Sequence, residues 1–333
     1  MNDVHLVGIG LPVYNGEKHL AFALDSILAQ TYGKFELIIS DNASTDRTEE
    51  ICRQYANRDR RIRYLRNSQN LGAARNFNRV FELFSGGKYF RWNAHDDLID
   101  PTFLQKCVQA LEESPSASLA FPRRRYITWE QGRVIGSAWE SVAGASTEDG
   151  LAPGRPINRL ESFDNINFAA VLRLYGGWFP LFAFALFPTE LVRKTHLLGS
   201  FPGADRILVA ELAMLGEFVE VPEELYFQRL HPASNWTMRK NLQEEAEWFD
   251  PRAKAPQHPK LGLYLHYLKA IHRSPIPPYK KPARYFDLAR RLAEGGVNRI
   301  RRKFGIAPLG EYSQLHTEIE QEIEAAQSQQ MAK

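Results

Sequence analysis

The sequence has little of what disulfide-rich or membrane-spanning proteins depend on. Its 333 residues include two cysteines, Cys52 and Cys107, which lack a CxxC spacing and so favour small core residues in a reducing compartment over a disulfide or a metal site. The most apolar stretch, 168–188, contains Arg173 and Pro180. Its uninterrupted part is therefore shorter than the roughly 20 residues that a membrane-spanning helix requires.

Several catalytic and targeting motifs are also missing. There is no GK[ST] phosphate loop, no HExxH and no GxSxG, and Gly8-Ile9-Gly10 is followed by Pro12, which has no N–H to offer a dinucleotide pyrophosphate. The first residues lack the basic and apolar stretches of a signal peptide, which favours a cytoplasmic protein. A net charge of +3 and a pI near 8.7 are too mild to indicate a nucleic-acid partner.

The sequence does contain a regular alternation of strand and helix patterns. Apolar runs predict strands at 4–11, 35–40, 61–65, 88–92 and 118–121, and helical spacing predicts helices at 17–30, after 46, at 73–84 and at 102–113. A further buried strand is predicted at 181–187. This alternation predicts an α/β fold with a doubly wound, mostly parallel sheet and flanking helices.

Polar clusters follow four successive predicted strands. They are Pro12-Val13-Tyr14-Asn15-Gly16-Glu17, Asp41-Asn42-Ala43-Ser44-Thr45-Asp46, Asn70-Leu71-Gly72-Ala73-Ala74-Arg75-Asn76 and His95-Asp96-Asp97. Each cluster alone could be ordinary turn chemistry. Because the carboxyl ends of parallel strands meet at one edge of a sheet, we expect all four to share a ligand-binding rim.

The adjacent carboxylates of Asp96 and Asp97 indicate a metal site at that rim. Carboxylate oxygens are the ligands that Mg²⁺ or Mn²⁺ prefers, and Mg²⁺ is commonly held by one or two carboxylates together with substrate phosphates. The alternative is a solvated turn or a helix cap, since Asp100-Pro101 could itself start a helix.

Taken together, these motifs resemble family 2 glycosyltransferases with the GT-A fold. The resemblance continues through Gly203-Ala204-Asp205, Val221-Pro222-Glu223 and the segment Arg229-Leu230-His231-Pro232-Ala233-Ser234, and it covers roughly residues 4–236. It implies a nucleotide-sugar-dependent domain at 1–236 and leaves a mainly helical, basic C-terminal extension at 237–333.

The resemblance also implies roles for individual residues. Asp41 would read the uracil edge, Asp96 would contact ribose, and Asp97 and His231 would bind Mn²⁺ or Mg²⁺. Arg229 and Trp178 would contact the diphosphate or the acceptor. The implied nucleotide-binding set is Pro12, Tyr14, Asn15, Glu17, Asp41, Asn42, Ser44, Asn70, Gly72, Arg75 and Asp96. For His231 the alternative is a loop residue whose ring is satisfied by the backbone.

Asp205 is the predicted catalytic base of an inverting transfer. It precedes Ile207, Leu208, Leu212 and Leu215, whose helical spacing anchors a helix in the core with Asp205 at its N-terminal end. The alternative is that Asp205 caps this helix. Glu211 lies about a turn and a half further along and is expected to point elsewhere.

The implied reaction moves a sugar from a UDP-sugar, or less readily a dTDP- or GDP-sugar, to a hydroxyl of a glycan or lipid-linked acceptor. Many relatives have an acidic residue where this chain has Ala94, which leaves a non-catalytic sugar-nucleotide-binding protein as the alternative. A glycoside hydrolase is disfavoured, because the acids segregate into nucleotide-type and acceptor-type clusters rather than flanking one sugar.

The C-terminal hundred residues are rich in Lys and Arg. Nine of them, Lys280, Lys281, Arg284, Arg290, Arg291, Arg299, Arg301, Arg302 and Lys303, are interleaved with apolar residues at roughly helical spacing. Such a helix could lie on an anionic membrane, or it could present a solvated basic face while its apolar side packs on the catalytic domain. A last amphipathic pattern at 312–323 would suit docking or homo-oligomer formation.

Overall fold

The structure is a computed structural model that describes residues 5–128, 134–137, 181–230 and 241–303. Its strands are β1 Val7–Val13, β2 Phe35–Asp41, β3 Ile62–Arg66, β4 Tyr89–Trp92, β5 Leu98–Ile99, β6 Ala117–Thr128, β7 Val134–Ser137, β8 Phe187–Pro188 and β9 Glu217–Leu230. Its α-helices are α1 Leu20–Leu28, α2 Thr48–Arg58, α3 Ala73–Glu82, α4 Phe103–Glu113, α5 Thr189–Val192, α6 Ala204–Leu215, α7 Leu242–Phe249, α8 Pro259–Arg273 and α9 Lys281–Lys303.

The first sheet has the order β3-β2-β1-β4-β8 and is parallel except for its last strand. β1 lies in the middle, and all seven of its residues are buried, as expected for a strand covered on both faces. Val13 pairs with Asp41, and Asp41 pairs with Arg66. The ends of these strands are therefore in register, which brings the loops that follow them to one rim.

A second sheet, β5-β9-β6-β7, brings a late part of the chain to the same region. β9 runs parallel to β6, and β5 pairs antiparallel with the end of β9 through Leu98 and Phe227. Since β5 begins directly after Asp97, this pairing ties the Asp96-Asp97 turn to the C-terminal end of β9.

Two hydrophobic clusters cover the faces of the first sheet. One contains β1 and β2 residues such as Ile9 and Leu37 together with residues of α1 and α4. The other contains β4 and α6 residues together with Tyr267, Ile271 and Leu288 from α8 and α9. Helices of the C-terminal extension thus share a core with the sheet. The predicted boundary at residue 236 falls in 231–240, outside the described residues, and stays a prediction.

The prediction of a strand at 181–187 is wrong for most of these residues. Leu181–Phe184 forms a 3-10 turn, and only Phe187–Pro188 is a strand, paired with Phe90 and Tyr89 of β4. The apolar run reflects aromatic packing: Phe182 contacts Phe121 edge-on at 4.7 Å between ring centroids, and Phe184 stacks on Tyr226 at 5.9 Å. A short apolar run does not distinguish a strand from another buried element.

The part of the chain that the structure describes contains no helix that is both long and apolar enough to cross a membrane. Trp178, His231 and the amphipathic pattern predicted at 312–323 all lie outside the described residues.

Candidate active site

The loops that follow β1 and β2 are joined by direct hydrogen bonds. The Asn15 N–H donates to Ser44 Oγ at 2.9 Å, and Asn15 Oδ1 accepts from the Thr45 N–H at 2.8 Å. The Gly16 N–H donates to Thr48 Oγ1 at 2.8 Å. Asn15 has a φ of 51°, a left-handed conformation that asparagine tolerates better than most residues. Asn15 and Ser44 therefore hold the two loops in a fixed relation.

Glu17 reinforces the same junction. Its Oε2 accepts from the Arg47 N–H at 3.1 Å, while its own N–H donates to Asp46 Oδ2 at 3.0 Å. Hydrogen bonds from Thr48 and Glu17 lower the pKa of Asp46 although partial burial opposes this. Pro12 and Tyr14 are also predicted nucleotide-binding residues of this region. Pro12 is buried in β1, and Tyr14 is 44% exposed.

Asp41, at the end of β2, is fully buried and hydrogen-bonded. Oδ1 accepts from the Ser44 N–H at 2.8 Å and Oδ2 accepts from the Tyr64 hydroxyl at 2.8 Å, with Arg66 Nε 3.4 Å away. Burial, followed by the hydrogen bond to Asp41, raises the pKa of Tyr64 far above its usual range. Sequence reasoning missed Tyr64 and Arg66, because in β3 they resemble ordinary strand residues.

The loop before α3 is attached to the β2 loop through Asn42. Asn42 Nδ2 donates to Asn70 Oδ1 at 2.8 Å, and Asn42 Oδ1 accepts from the Leu71 N–H at 2.9 Å. Gly72 has a φ of +82°, and a Cβ placed on it would lie 2.4 Å from the carbonyl oxygen of Phe249 at the end of α7. Glycine is thus required here both by conformation and by space.

The first turn of α3 adds one exposed and one buried polar residue. Arg75 is exposed there. Asn76, which the sequence grouped in the cluster without assigning it a role, is buried, donates to Ser40 O at 2.9 Å and accepts from Ser40 Oγ at 2.7 Å. Asn76 therefore fixes the start of α3 against β2.

The turn that follows β4 lies against the β1 loop. The Asn93 N–H donates to Gly10 O at 2.8 Å, and a Cβ placed on Gly16 would lie 2.8 Å from His95 Cδ2. All four polar clusters therefore come together at one rim, as the strand order predicted.

Asp97 faces into the protein rather than toward the rim. Its Oδ2 accepts from the Tyr226 hydroxyl at 2.5 Å, its Oδ1 accepts from the Arg229 N–H at 2.8 Å, and the residue is 5% exposed. Burial, together with the neighbouring charge of Asp96, raises the pKa of Asp97 to about 7. Each oxygen of Asp97 thus accepts one hydrogen bond from β9, and the expectation that Asp97 binds a metal stays a prediction.

Asp96 is half-buried, and Arg229 holds the turn that carries it. Arg229 Nε donates to the backbone oxygen of Asp96 at 3.0 Å, and the Arg229 guanidinium lies 5.7 Å from the Phe22 ring. Burial lowers the pKa of Arg229, while Asp97 and Asp96 oppose that shift. Arg229 thus lies beside the carboxylate pair with its Nε directed at the backbone of the turn, and its contact with the diphosphate or the acceptor stays a prediction.

Arg91 lies beneath this turn and was missed by the sequence reasoning. It is fully buried in β4, with Nη2 donating to Phe184 O at 3.2 Å and its guanidinium 4.0 Å from the Phe103 ring. Burial lowers the pKa of Arg91 to about 10, and Tyr226 and Asp97 are among the groups that favour its charged form. Arg91 stands inside an apolar strand, so the sequence does not indicate that its buried positive charge lies near the carboxylate of Asp97.

Asp205 occupies the first turn of α6, half-buried, after Gly203 with a φ of 82°. The adjacent Ala204 belongs to a small buried cluster with Ala74 of α3 and Phe249 of α7. Since Ala74 follows Gly72 closely, the N-terminal ends of α6 and α3 lie together near the loop that precedes α3. Gly203 makes no side-chain hydrogen bond to the start of α6, and Asp205 is the acidic residue of its first turn.

Glu211 points elsewhere, as expected. It is buried, its Oε2 accepts from the His196 N–H at 2.8 Å, and its Oε1 lies 2.5 Å from His196 Nδ1. Burial raises its pKa, and the contacts with His196 oppose this. Glu211 therefore anchors the segment before α6 rather than facing the rim.

Within the described ranges, no group of three or more His, Cys, Asp or Glu side chains is arranged to hold a metal. His231, the second predicted ligand, is not among those residues. The half-buried Asp96 at the rim nevertheless fits a divalent ion held mainly by substrate phosphates, which needs only one or two carboxylates.

Comparison with known sequences supports the resemblance. Residues 9–163 match the family model described as Glycosyl transferase family 2. An uncharacterized glycosyltransferase of Haemophilus influenzae is 30% identical over 141 residues, which are 42% of this chain and 43% of that protein. The chain thus matches less than half the length of this curated relative. The expected resemblance to family 2 glycosyltransferases is confirmed.

Comparison with solved structures confirms the GT-A type of fold. S. aureus TarS 1-349 in complex with UDP-GlcNAc matches with a TM-score of 0.60 at 15% identity, covering 89% of this chain and 72% of that one. The mannosyltransferase PcManGT from Pyrobaculum calidifontis, in complex with GDP-Man and Mn²⁺, matches with a TM-score of 0.51 at 17% identity, covering 88% and 76%.

Proposed function

We propose that this chain transfers a sugar from a nucleoside-diphosphate sugar to an acceptor hydroxyl with inversion at the anomeric carbon. Its residues 9–163 match the family model of family 2 glycosyltransferases. The observation that carries the proposal is the rim itself. Loops after four strands are fastened to one another there, the half-buried Asp96 sits on one of them, and Asp205 begins a helix whose N-terminus packs beside α3.

A UDP-sugar is the proposed donor, bound by the loops after β1, β2 and β3. In this proposal Asp41 accepts an N–H of the base with the lone pairs that its hydrogen bonds to Ser44 and Tyr64 leave unused, and Asn42, Asn70 and Gly72 shape the edge of the site. A carboxylate accepts an N–H from a base edge, which suits uracil. The TarS structure with UDP-GlcNAc supports a UDP-sugar, and the PcManGT structure with GDP-Man keeps a GDP-sugar as the competing donor.

We assign the metal-facing role to Asp96 and a positioning role to Asp97. Asp96 is the half-exposed member of the pair, whereas both oxygens of Asp97 accept hydrogen bonds from Tyr226 and Arg229. Asp96 would hold Mn²⁺ or Mg²⁺ together with the donor diphosphate. When bound, such an ion neutralises the charge that develops on the leaving diphosphate. His231, two residues after Arg229, remains the proposed second ligand.

Asp205 is the proposed general base. The acceptor oxygen forms a bond to the anomeric carbon from the face opposite the diphosphate while the bond from that carbon to the phosphate oxygen breaks. The acceptor proton moves to the Asp205 carboxylate, and the nucleoside diphosphate leaves with the bonding electron pair. The acceptor is proposed to be a glycan or a lipid-linked hydroxyl.

A donor-turnover assay tests the proposal. The full chain is incubated with a panel of sugar nucleotides and Mn²⁺, and release of nucleoside diphosphate is measured with and without EDTA. We expect release from at least one donor, lost with EDTA and lost in Asp96→Asn. Glu190→Gln, a change at an exposed carboxylate of α5, is the control and should keep wild-type turnover.

Ala94 favours a second candidate, a sugar-nucleotide-binding protein without transferase activity. It stands where many relatives have an acid, so a carboxylate contact to the donor is absent at this position. Metal-independent UDP binding without turnover of any donor in the panel would establish this second function and contradict the first.

A further inference from the structure

Helix α8 has two faces of opposite character. Tyr267, Ala270 and Ile271 are buried and belong to the large cluster that also contains α6 residues. On the other side, Leu261, Leu265 and Leu268 are 58%, 48% and 41% exposed. Their spacing of four and three residues places them in one stripe along the helix. The structure therefore presents a row of leucines to solvent on a helix that is already packed on its opposite face.

The segment that carries this stripe is free of acids. Residues 251–286 contain eight Lys and Arg and no Asp or Glu. Lys260, Lys269 and Arg273 of α8 are exposed, and none of them forms an ion pair with a described residue. Ordinary surfaces mix charges of both signs, so a long one-sign stretch marks a surface with an anionic counterpart.

The turn that follows α8 continues this surface chemistry. Tyr279 is 77% exposed and lies directly before Lys280 and Lys281. Tyrosine beside lysine is typical of segments at a lipid headgroup layer, where the ring is partly buried and the hydroxyl stays wet.

We propose that the exposed face of α8, defined by Leu261, Leu265, Leu268 and Lys269, docks on an anionic phospholipid surface. The leucines enter the boundary between headgroups and acyl chains, and Lys269 at the edge of the stripe meets lipid phosphates, as in interfacial amphipathic helices. A second copy of this chain fits less well, because a two-fold contact would set the same cations against each other. A nucleic acid would leave the leucine stripe without a role.

Vesicle co-sedimentation of the full chain tests the docking surface. The probes are vesicles of phosphatidylcholine alone and vesicles in which about a third of the lipid is phosphatidylglycerol. We expect binding to the anionic vesicles only, weakened by high salt. Replacing Lys269 by Gln should weaken it about fivefold, the equivalent of about 1 kcal/mol.

The leucine stripe has its own variant and a matched control. The triple change Leu261→Ser, Leu265→Ser and Leu268→Ser should weaken vesicle binding about tenfold or more, since each leucine loses apolar area buried in the lipid. Leu242→Ser, at a residue of α7 that is 44% exposed next to the acidic Glu244 and Glu245, should leave binding unchanged. Melting temperatures of all variants are measured to confirm that they fold.

Three outcomes would overturn the proposal. The first is no binding to either vesicle, and the second is equal binding to both. The third is a dimer in light scattering that the triple leucine variant dissociates, which would assign the stripe to a second copy of the chain. None of these outcomes depends on sugar transfer, so the docking surface and the proposed activity can fail separately.

Discussion

At the residue scale, the adjacent carboxylates of Asp96 and Asp97 differ in their surroundings. Asp97 accepts hydrogen bonds from Tyr226 and from the backbone of Arg229, whereas Asp96 is half-buried at the rim. A sequence shows that two acids are neighbours, but not which of them faces inward, because that depends on the strand β9 that arrives more than a hundred residues later. The resemblance implies a metal role for Asp97, whereas the surroundings of the two carboxylates favour Asp96 in the proposed site.

The two assignments predict different effects on Mn²⁺ binding. We expect Asp96→Asn to weaken Mn²⁺ binding, measured by titration in the presence of UDP, by about tenfold or more, because it removes a charged ligand. Asp97→Asn should chiefly lower the melting temperature, since the amide nitrogen cannot accept the Tyr226 hydrogen bond. The reverse ranking of the two variants in Mn²⁺ affinity would return the metal role to Asp97.

The base role of Asp205 predicts a split between chemistry and binding. Asp205→Asn keeps the shape of the side chain but removes its proton affinity, so kcat for transfer should fall about 100- to 10,000-fold. The affinity for UDP should stay nearly unchanged, because the residue faces the acceptor in this proposal. The control is Glu190→Gln at an exposed carboxylate, which should keep wild-type transfer. Glu211→Gln is not used as the control, because it would disturb the contact with His196. Wild-type transfer by Asp205→Asn would remove it as the base.

At the scale of elements, the parallel core could be predicted from sequence and the second sheet could not. Apolar runs located β1 to β4, of which β1, β2 and β4 are buried almost throughout while β3 is a partly exposed edge strand. The contacts that fasten the rim, such as Tyr64 to Asp41 and Tyr226 to Asp97, join residues far apart in the chain. Tyrosines in strands look like core residues, so their polar role emerges only when the partner strand is known.

The absence of a side chain at Gly72 allows the start of α3 to approach the end of α7 closely. An alanine there would need both a φ of +82° and a Cβ 2.4 Å from Phe249 O. We expect Gly72→Ala to lower the free energy of unfolding by about 1–3 kcal/mol, measurable as a lower melting temperature. Gly33→Ala, where a Cβ would meet nothing within 4 Å, is the matched control and should change little. Equal melting temperatures for both variants would contradict the close approach.

Glu220 in β9 predicts a pH dependence of stability. Burial raises the pKa of Glu220, although Arg123 at 3.0 Å opposes the shift. The folded protein therefore holds the proton of Glu220 more tightly than the unfolded chain does. The free energy of unfolding should fall as the pH rises from the ordinary glutamate value through the raised pKa.

The variant Glu220→Gln should flatten this part of the curve of melting temperature against pH. Glu223→Gln removes an exposed carboxylate of the same strand and should keep the wild-type slope. A slope that Glu220→Gln leaves unchanged would show that another group causes it.

At the scale of the whole molecule, the proposed activity rests on segments from four parts of the chain. The loops after β1 to β4 supply the nucleotide side, the end of β9 fastens the Asp96-Asp97 turn, α6 supplies Asp205, and α7 packs on the turn at Gly72. The sequence predicted the first and the third of these. For the C-terminal extension the sequence left two possibilities open, a membrane surface or packing on the catalytic domain, and buried residues of α8 and α9 share a core with α6.

A thermal-shift measurement on the full chain tests most directly whether this rim is a metal-dependent sugar-nucleotide site. Ligands that bind only the folded protein raise its melting temperature, by an amount equivalent to about 3–4 kcal/mol at 100 to 1,000 times the dissociation constant. We predict that UDP or GDP with Mn²⁺ raises it by several degrees, more than nucleotide or metal alone, and that Asp96→Asn loses the joint effect. No shift with any nucleotide, or a shift that is the same without Mn²⁺ and in Asp96→Asn, would contradict the account.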